Sequence, residues 1–132
     1  MDSVVRKPYQ LIWLTIPALV LIGLIFRTHT VDIQLADTYY VISNLYFVLP
    51  GSVFMLVLGI GYWLMRRQRL NPILIVLHIL LTIAPFILIA LPLPTGNQIM
   101  SNYLVWCVAG FMLGQCLFLI NSTIALVRPI TL

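Results

Sequence analysis

The stretch "VDIQLADTYYVISNLYFVL", Val31 to Leu49, holds two of the chain's three acidic residues and then enters an apolar run without charge. Such a change marks the place where a chain passes from water into hydrocarbon. Four apolar segments in the sequence, 9–26, 39–65, 72–91 and 103–127, reach the length needed to cross a membrane. A hydrocarbon core about 30 Å thick takes about 20 helical residues. Backbone groups in lipid must be paired within their own segment, so each run is expected to be a helix. The expected fold is an all-α membrane protein, a four-transmembrane-helix bundle forming one domain over residues 1–132.

Composition points the same way. Of 132 residues, 62% are hydrophobic and 8% charged, against about 25% charged in ordinary soluble domains. Mean hydropathy is +1.10. The stretches between the apolar runs are too short for a second soluble domain. The net charge of +4 comes from seven Lys and Arg scattered over segment ends. They form no basic stripe, so nucleic acid is not an expected partner. Cys107 and Cys116 share one apolar run at a spacing that matches no zinc or redox motif, and such cysteines act as small hydrophobes. The run from Leu11 to Phe26 is followed by Arg27-Thr28-His29-Thr30 with no small-x-small cleavage site. It reads as a retained signal anchor.

The ends of the runs carry local signals. Asp37, helped by Thr38, is expected to cap the second helix, where a carboxylate also suits the positive end of the helix dipole. Asn71-Pro72 places a cap before a proline, whose missing amide hydrogen is harmless in a first turn. Pro92-Leu93-Pro94-Thr95-Gly96-Asn97 breaks the chain before the fourth span, and Pro129 follows it. Arg6 and Lys7, then Arg66, Arg67 and Arg69, then Arg128 all fall on one side of a four-span chain. The other side carries Arg27, offset by Asp32 and Asp37. The positive-inside rule places both termini in the cytoplasm, and a bacterial inner membrane is the expected location. Tyr9, Trp13, Tyr62 and Trp63 belong near the inner face, and Tyr39, Tyr40, Tyr103 and Trp106 near the outer.

Several features inside the spans bear on packing. Pro17, Pro50 and Pro85 each remove a backbone hydrogen bond and are expected to bend their helices. Gly110 and Gly114 form a GxxxG that permits close helix approach, within this chain or with a partner. Gly59 and Gly61 are similar. Gln115 and Asn121 are expected to hydrogen-bond between helices. Asn121-Ser122-Thr123 has the form of a glycosylation sequon, but it falls in the last span and does not read as one.

Ala36-Asp37-Thr38-Tyr39-Tyr40-Val41, preceded by Asp32-Ile33, resembles a signature of heme–copper oxidase subunit I, the catalytic subunit of cytochrome c and quinol oxidases. The family pattern is His-Asp-Thr-Tyr-Tyr-Val-Val-Ala-His-Phe-His-Tyr-Val-Leu, at the outer start of the tenth of twelve helices. The four spans would then stand for the ninth to twelfth, with Leu77-His78 at the opening of the eleventh. In the family the first His lies near a magnesium site and the heme propionates. The two in His-Phe-His ligate the irons of two hemes. Here those positions are Ala36, Asn44 and Tyr46. Residues two apart on a helix point about 200° apart, which suits a pair serving two different hemes. The copper ligands and redox tyrosine of the family belong to earlier helices, which this chain does not contain.

Chemistry is correspondingly sparse. There is no Glu, and His29 and His78 are the only histidines. His29 lies in the outer loop, and His78 about 9 Å into the third span from the inside, too far apart to share a metal or a heme. His78 and Tyr46 are the two candidate heme ligands. Their structural alternatives are a neutral His bonded to a neighbouring helix and a packed tyrosine. Asp32 and Arg27 could pair across the loop, and Asn44 would share a helix face with Asp37. The motif positions Asp32, Asp37, Thr38, Tyr39, Tyr40 and Asn44 thus read as structural, with no catalytic residue and no metal site. The expected function is a non-catalytic module that resembles part of the oxidase subunit. It would act through contacts with lipid, with other membrane subunits of a respiratory complex, or with a copy of itself. No cofactor is expected. The alternatives are a heme-binding electron-transfer component and a small transporter or proton pathway.

Overall fold

The computed structural model describes residues 7–35, 37–68, 70–92 and 97–127. Arg6, Ala36, Arg69, residues 93–96 of the breaker cluster, Arg128 and Pro129 lie outside them. Four helices follow one another: α1 (Pro8–Ile25), α2 (Asn44–Leu64), α3 (Pro72–Ala90) and α4 (Asn97–Val127). All four contain a stretch long and apolar enough to cross a membrane. Leucine, isoleucine and valine side chains point outward all round the bundle, as Leu14, Leu21, Val53, Leu80, Val105 and Leu126 do. Helices apolar on every side belong in hydrocarbon.

The helices run alternately up and down. Trp13 meets Gly59 and Gly23 meets Val48 between α1 and α2. Tyr62 meets His78 between α2 and α3, and Thr82 meets Gln115 between α3 and α4. In each pair of helices the numbers rise on one and fall on the other. α1 packs chiefly on α2 and α3 chiefly on α4, and α3 also touches α1 and α2. The core along this axis is Ile12, Leu19, Val48, Met55, Leu58, Tyr62, Ile75, Ile79 and Ala90.

Between α1 and α2 the chain departs from expectation. It forms an antiparallel hairpin of β1 (Thr30–Leu35) and β2 (Thr38–Ser43), and α2 begins only at Asn44. The register runs from Thr30 opposite Ser43 to Leu35 opposite Thr38, a two-residue connection through Asp37. Asp37 is therefore an exposed turn residue and not a helix cap, and Tyr39 and Tyr40 lie on a strand. Asp37 and Asn44 share no helix face. The physical reason lies in Tyr39-Tyr40-Val41-Ile42. Aromatic and β-branched side chains fit a pleated surface, and Thr30–Leu35 supplies a partner across a short turn. The shortened α2 has 21 residues, about 32 Å at 1.5 Å each, which is still long enough to cross a membrane.

The starts of α1 and α3 act as read. Proline stands in the first turn of α1 and of α3. The Asn71 side chain caps α3 by accepting from the Ile73 amide at 3.0 Å. α4 starts earlier than the expected 103, at Asn97. Pro17, Pro50 and Pro85 all lie within helices.

Glycines set how closely the helices approach. A side-chain carbon on Gly59 would overlap the Trp13 indole, and one on Gly51 would press on Phe86. Of the GxxxG pair, Gly114 faces α3 closely, where a Cβ would stand 3.2 Å from both Leu81 Cβ and Thr82 Oγ1. At Gly110 a Cβ would meet Leu81 at an ordinary 3.8 Å. Gly59→Ala is therefore expected to destabilise the bundle by about 1–3 kcal/mol, the usual cost of overpacking. Gly110→Ala should change stability by no more than about 0.5 kcal/mol. Reversible unfolding in mixed detergent measures both. Equal effects would mean that the Trp13 notch does not constrain α1 against α2.

Candidate functional site

Polar side chains are few within the spans, and those that occur tie helices together. Asn44 is the first residue of α2 and is fully buried. Its amide nitrogen donates to the Ala90 carbonyl at 3.0 Å and to the Phe26 carbonyl at 3.4 Å. Its backbone amide donates to the His29 carbonyl at 3.0 Å. One residue thereby joins the end of α1, the end of α3 and the start of α2. Helix C-termini leave carbonyls without intrahelical donors, and Asn44 supplies two of them. Ser43, just before it, makes no side-chain cap; its hydroxyl donates to the Arg27 carbonyl at 3.4 Å.

Nearer the other end of the bundle, Tyr62 and His78 form a buried pair. The Tyr62 hydroxyl and His78 Nδ1 are hydrogen-bonded at 2.8 Å. The imidazole also lies against Phe118, with ring centroids 5.1 Å apart, and Phe118 stands edge-on to Tyr62 at 5.0 Å. His78 Nε2 is buried without a partner. One turn further along α3, Thr82 accepts from the Gln115 amide at 3.1 Å. At the start of α3 the Asn121 side chain bonds the backbone of Asn71 twice, accepting from its amide at 2.9 Å and donating to its carbonyl at 3.3 Å. Both expected interhelical bonds of α4 thus form, and Asn121 is buried in one of them.

The hairpin holds the third polar group. The Asp32 carboxylate accepts from the Tyr39 hydroxyl at 2.6 Å and from Thr30 Oγ1 at 3.3 Å. Asp32 sits opposite Val41, which makes Tyr39 its diagonal neighbour on one face of the ladder. Asp32 is satisfied in this way and makes no ion pair with Arg27, contrary to expectation. The bond to the carboxylate, then partial desolvation and the nearby negative charge, raise the Tyr39 phenol above its ordinary 10.0.

The motif residues can now be placed. Asn44 points into the bundle, whereas Tyr46 is 75% exposed on the outer surface. The separation of about 200° between such residues is realised. As arranged, the described residues do not fit a heme. Asn44 is committed to two carbonyls. Tyr46 stands apart from every other candidate. His78 has Nδ1 bound to Tyr62, the Phe118 ring packed close to it, and Gly114 drawn close against α3 beside it. An apolar cleft of about 260 Å³ between α2, α3 and α4 is lined by Phe47, Pro85, Phe86, Phe111 and Met112 among others. It falls below the usual 300–1,000 Å³ of ligand pockets.

Tyr62 was not singled out by the sequence except as an interfacial aromatic, yet it is 1% exposed and holds His78. A signal existed. Tyr62 and His78 are equidistant from Leu70, and residues equidistant from a helical turn meet across an antiparallel pair.

No family model matches the chain, and no solved structure matches it. Over 64 aligned residues it is 42% identical to cytochrome c oxidase subunit 1 of Thermostichus vulcanus. That likeness covers 46% of this chain and 12% of the relative, about an eighth of its length. It supports a partial relationship to oxidase subunit 1, in keeping with the Asp37–Val41 motif.

Two measurements probe the site. Asn44→Leu leaves the Phe26 and Ala90 carbonyls without their donor. It is expected to lower stability by about 1–3 kcal/mol, whereas Tyr46→Leu stays within about 0.5 kcal/mol. If the two substitutions matched, Asn44 would not be a stabilising tie. In a tyrosine-ring NMR titration, Tyr39 is expected to ionise above 10.0 and to move back toward it in Asp32→Asn. A raised folded value means that the hairpin's hydrogen bond is fully present below pH 10.0. It is lost as pH climbs through the raised value. An Asp32→Asn titration superimposing on that of the wild type would refute the carboxylate as the cause.

Proposed function

We propose that this chain is a non-catalytic membrane module related to part of oxidase subunit 1. It acts by presenting its helix faces to other membrane subunits, as an accessory of a respiratory complex. The observation that carries this reading is Asn44. At a position where the resemblance calls for a heme-ligating histidine, the side-chain nitrogen joins the ends of α1 and α3. The outward Tyr46 and the enclosed His78 support it. On this reading the chain carries no heme of its own. The arginine-bearing ends of the spans lie in the cytoplasm of a bacterial cell, by the positive-inside rule.

A competing reading, a heme-binding electron-transfer component, rests on one atom. His78 Nε2 is buried and unpartnered, and a neutral imidazole nitrogen is a heme ligand. To use it, Phe118 or the α3–α4 contact at Gly114 would have to move aside.

Reduced-minus-oxidised and pyridine hemochrome spectra of the protein purified in mild detergent separate the two. The expected result is no stoichiometric heme, together with co-purification of respiratory subunits from native membranes. A heme band that disappears in His78→Leu would establish the electron-transfer reading instead. Purification with neither heme nor respiratory subunits would remove the accessory role.

A further inference from the structure

We propose that the end of the α1–α2 pair bearing Lys7, Arg66 and Arg67 is a docking surface for the headgroups of anionic phospholipids. The α1–α2 register, set by Gly23 against Val48 and Trp13 against Gly59, brings Lys7 level with the short 3-10 turn Met65–Arg67 that ends α2. Lys7, Arg66 and Arg67 are all exposed there. The acidic residues among those described, Asp32 and Asp37, belong to the β-hairpin at the far end of the same two helices. Three exposed cations thus lie at the same end of this helix pair, with no described carboxylate there. Like charges gathered in this way need an anion, and at a membrane surface the available anion is a phosphodiester.

The depth is right for that partner. The Arg66 guanidinium lies 4.7 Å over the Trp63 ring. Tyr9 and Trp13 pack edge to face, 5.5 Å apart, at the same end. Such aromatics seat at the headgroup level. Stacking on Trp63 holds the planar Arg66 group in place before any lipid arrives. Its fork of donors matches phosphate oxygens in pairs, which an ammonium cannot do. The 3-10 turn matters as well. It ends α2 at Met65–Arg67 and places Arg67 next in sequence to the stacked Arg66.

The test uses the full chain in nanodiscs of equal parts phosphatidylglycerol and phosphatidylcholine, with retained lipids counted by native mass spectrometry. Phosphatidylglycerol should be retained preferentially, and added salt should weaken the preference. Each neutralised charge should cut that preference about five-fold, so Arg66→Gln with Arg67→Gln should lower it by about twenty-fold or more. Asp32→Asn, at the other end, should leave it unchanged. Circular dichroism confirms that the exposed substitutions leave the helices intact. Equal retention of both lipids by the wild type would overturn the proposal, as would an undiminished preference in the double variant. Displacement of phosphatidylglycerol by soluble glycerol phosphate at matched concentration would also overturn it, because the site would then be one for free anions.

Discussion

Everything at the hairpin end of this bundle depends on the side-chain amide of Asn44. A helix that ends near the membrane surface leaves its last carbonyls without donors, and no water reaches those that are buried. α1 and α3 end side by side, at Phe26 and Ala90, and α2 begins between them. Asn44 is short enough to sit in that gap and carries two hydrogens on one nitrogen, so it reaches both carbonyls. The β-hairpin is anchored to the same point, because the Asn44 backbone amide is bonded to His29. Its placement explains why the helix starts there. Five residues earlier the chain is still a strand, and its backbone bonds are made to Thr30–Leu35.

The remaining polar residues of the spans repeat this logic at other depths. Gln115 is tied to Thr82, Asn121 to Asn71 and Tyr62 to His78. Three of the four helices take part in these ties. α1 is held differently, by shape: the Trp13 indole occupies the notch left by Gly59, and Val48 stands over Gly23. In lipid, burying apolar surface between helices gives little net attraction, so close packing and polar ties carry the association. α1 and α2 are held mainly by packing, beside the Asn44–Phe26 bond, whereas α3 and α4 combine hydrogen bonds with the close approach at Gly114.

That division also bears on the likeness to an oxidase subunit. Two of the positions where the resemblance asks for histidine are described in the structure, and their side chains face opposite ways. Asn44 is fully buried and hydrogen-bonded between helix ends, and Tyr46 is an outward-facing aromatic. His78 is likewise enclosed, with one ring nitrogen bound by Tyr62 and its ring clustered with Tyr62 and Phe118.

Much of the architecture was legible in the sequence because lipid imposes a simple rule: long apolar runs must be helices. The spans, the Asn71-Pro72 helix start and the interhelical roles of Gln115 and Asn121 follow from residue type and position alone. The β-hairpin was not legible in this way. Asp37-Thr38 before an apolar run looks like a helix start, and local signals cannot reveal that Thr30–Leu35 lies opposite as a pairing partner. Nor could they show that Asn44 bonds Ala90, 46 residues away, or that Tyr62 faces inward to His78. Composition and run length determined that the chain has four helices long and apolar enough to cross a membrane, since hydrophobicity is a property of each segment. The tertiary structure alone decided where α2 begins and which polar groups meet, because a hydrogen bond between helices depends on where distant segments bring its donor and acceptor.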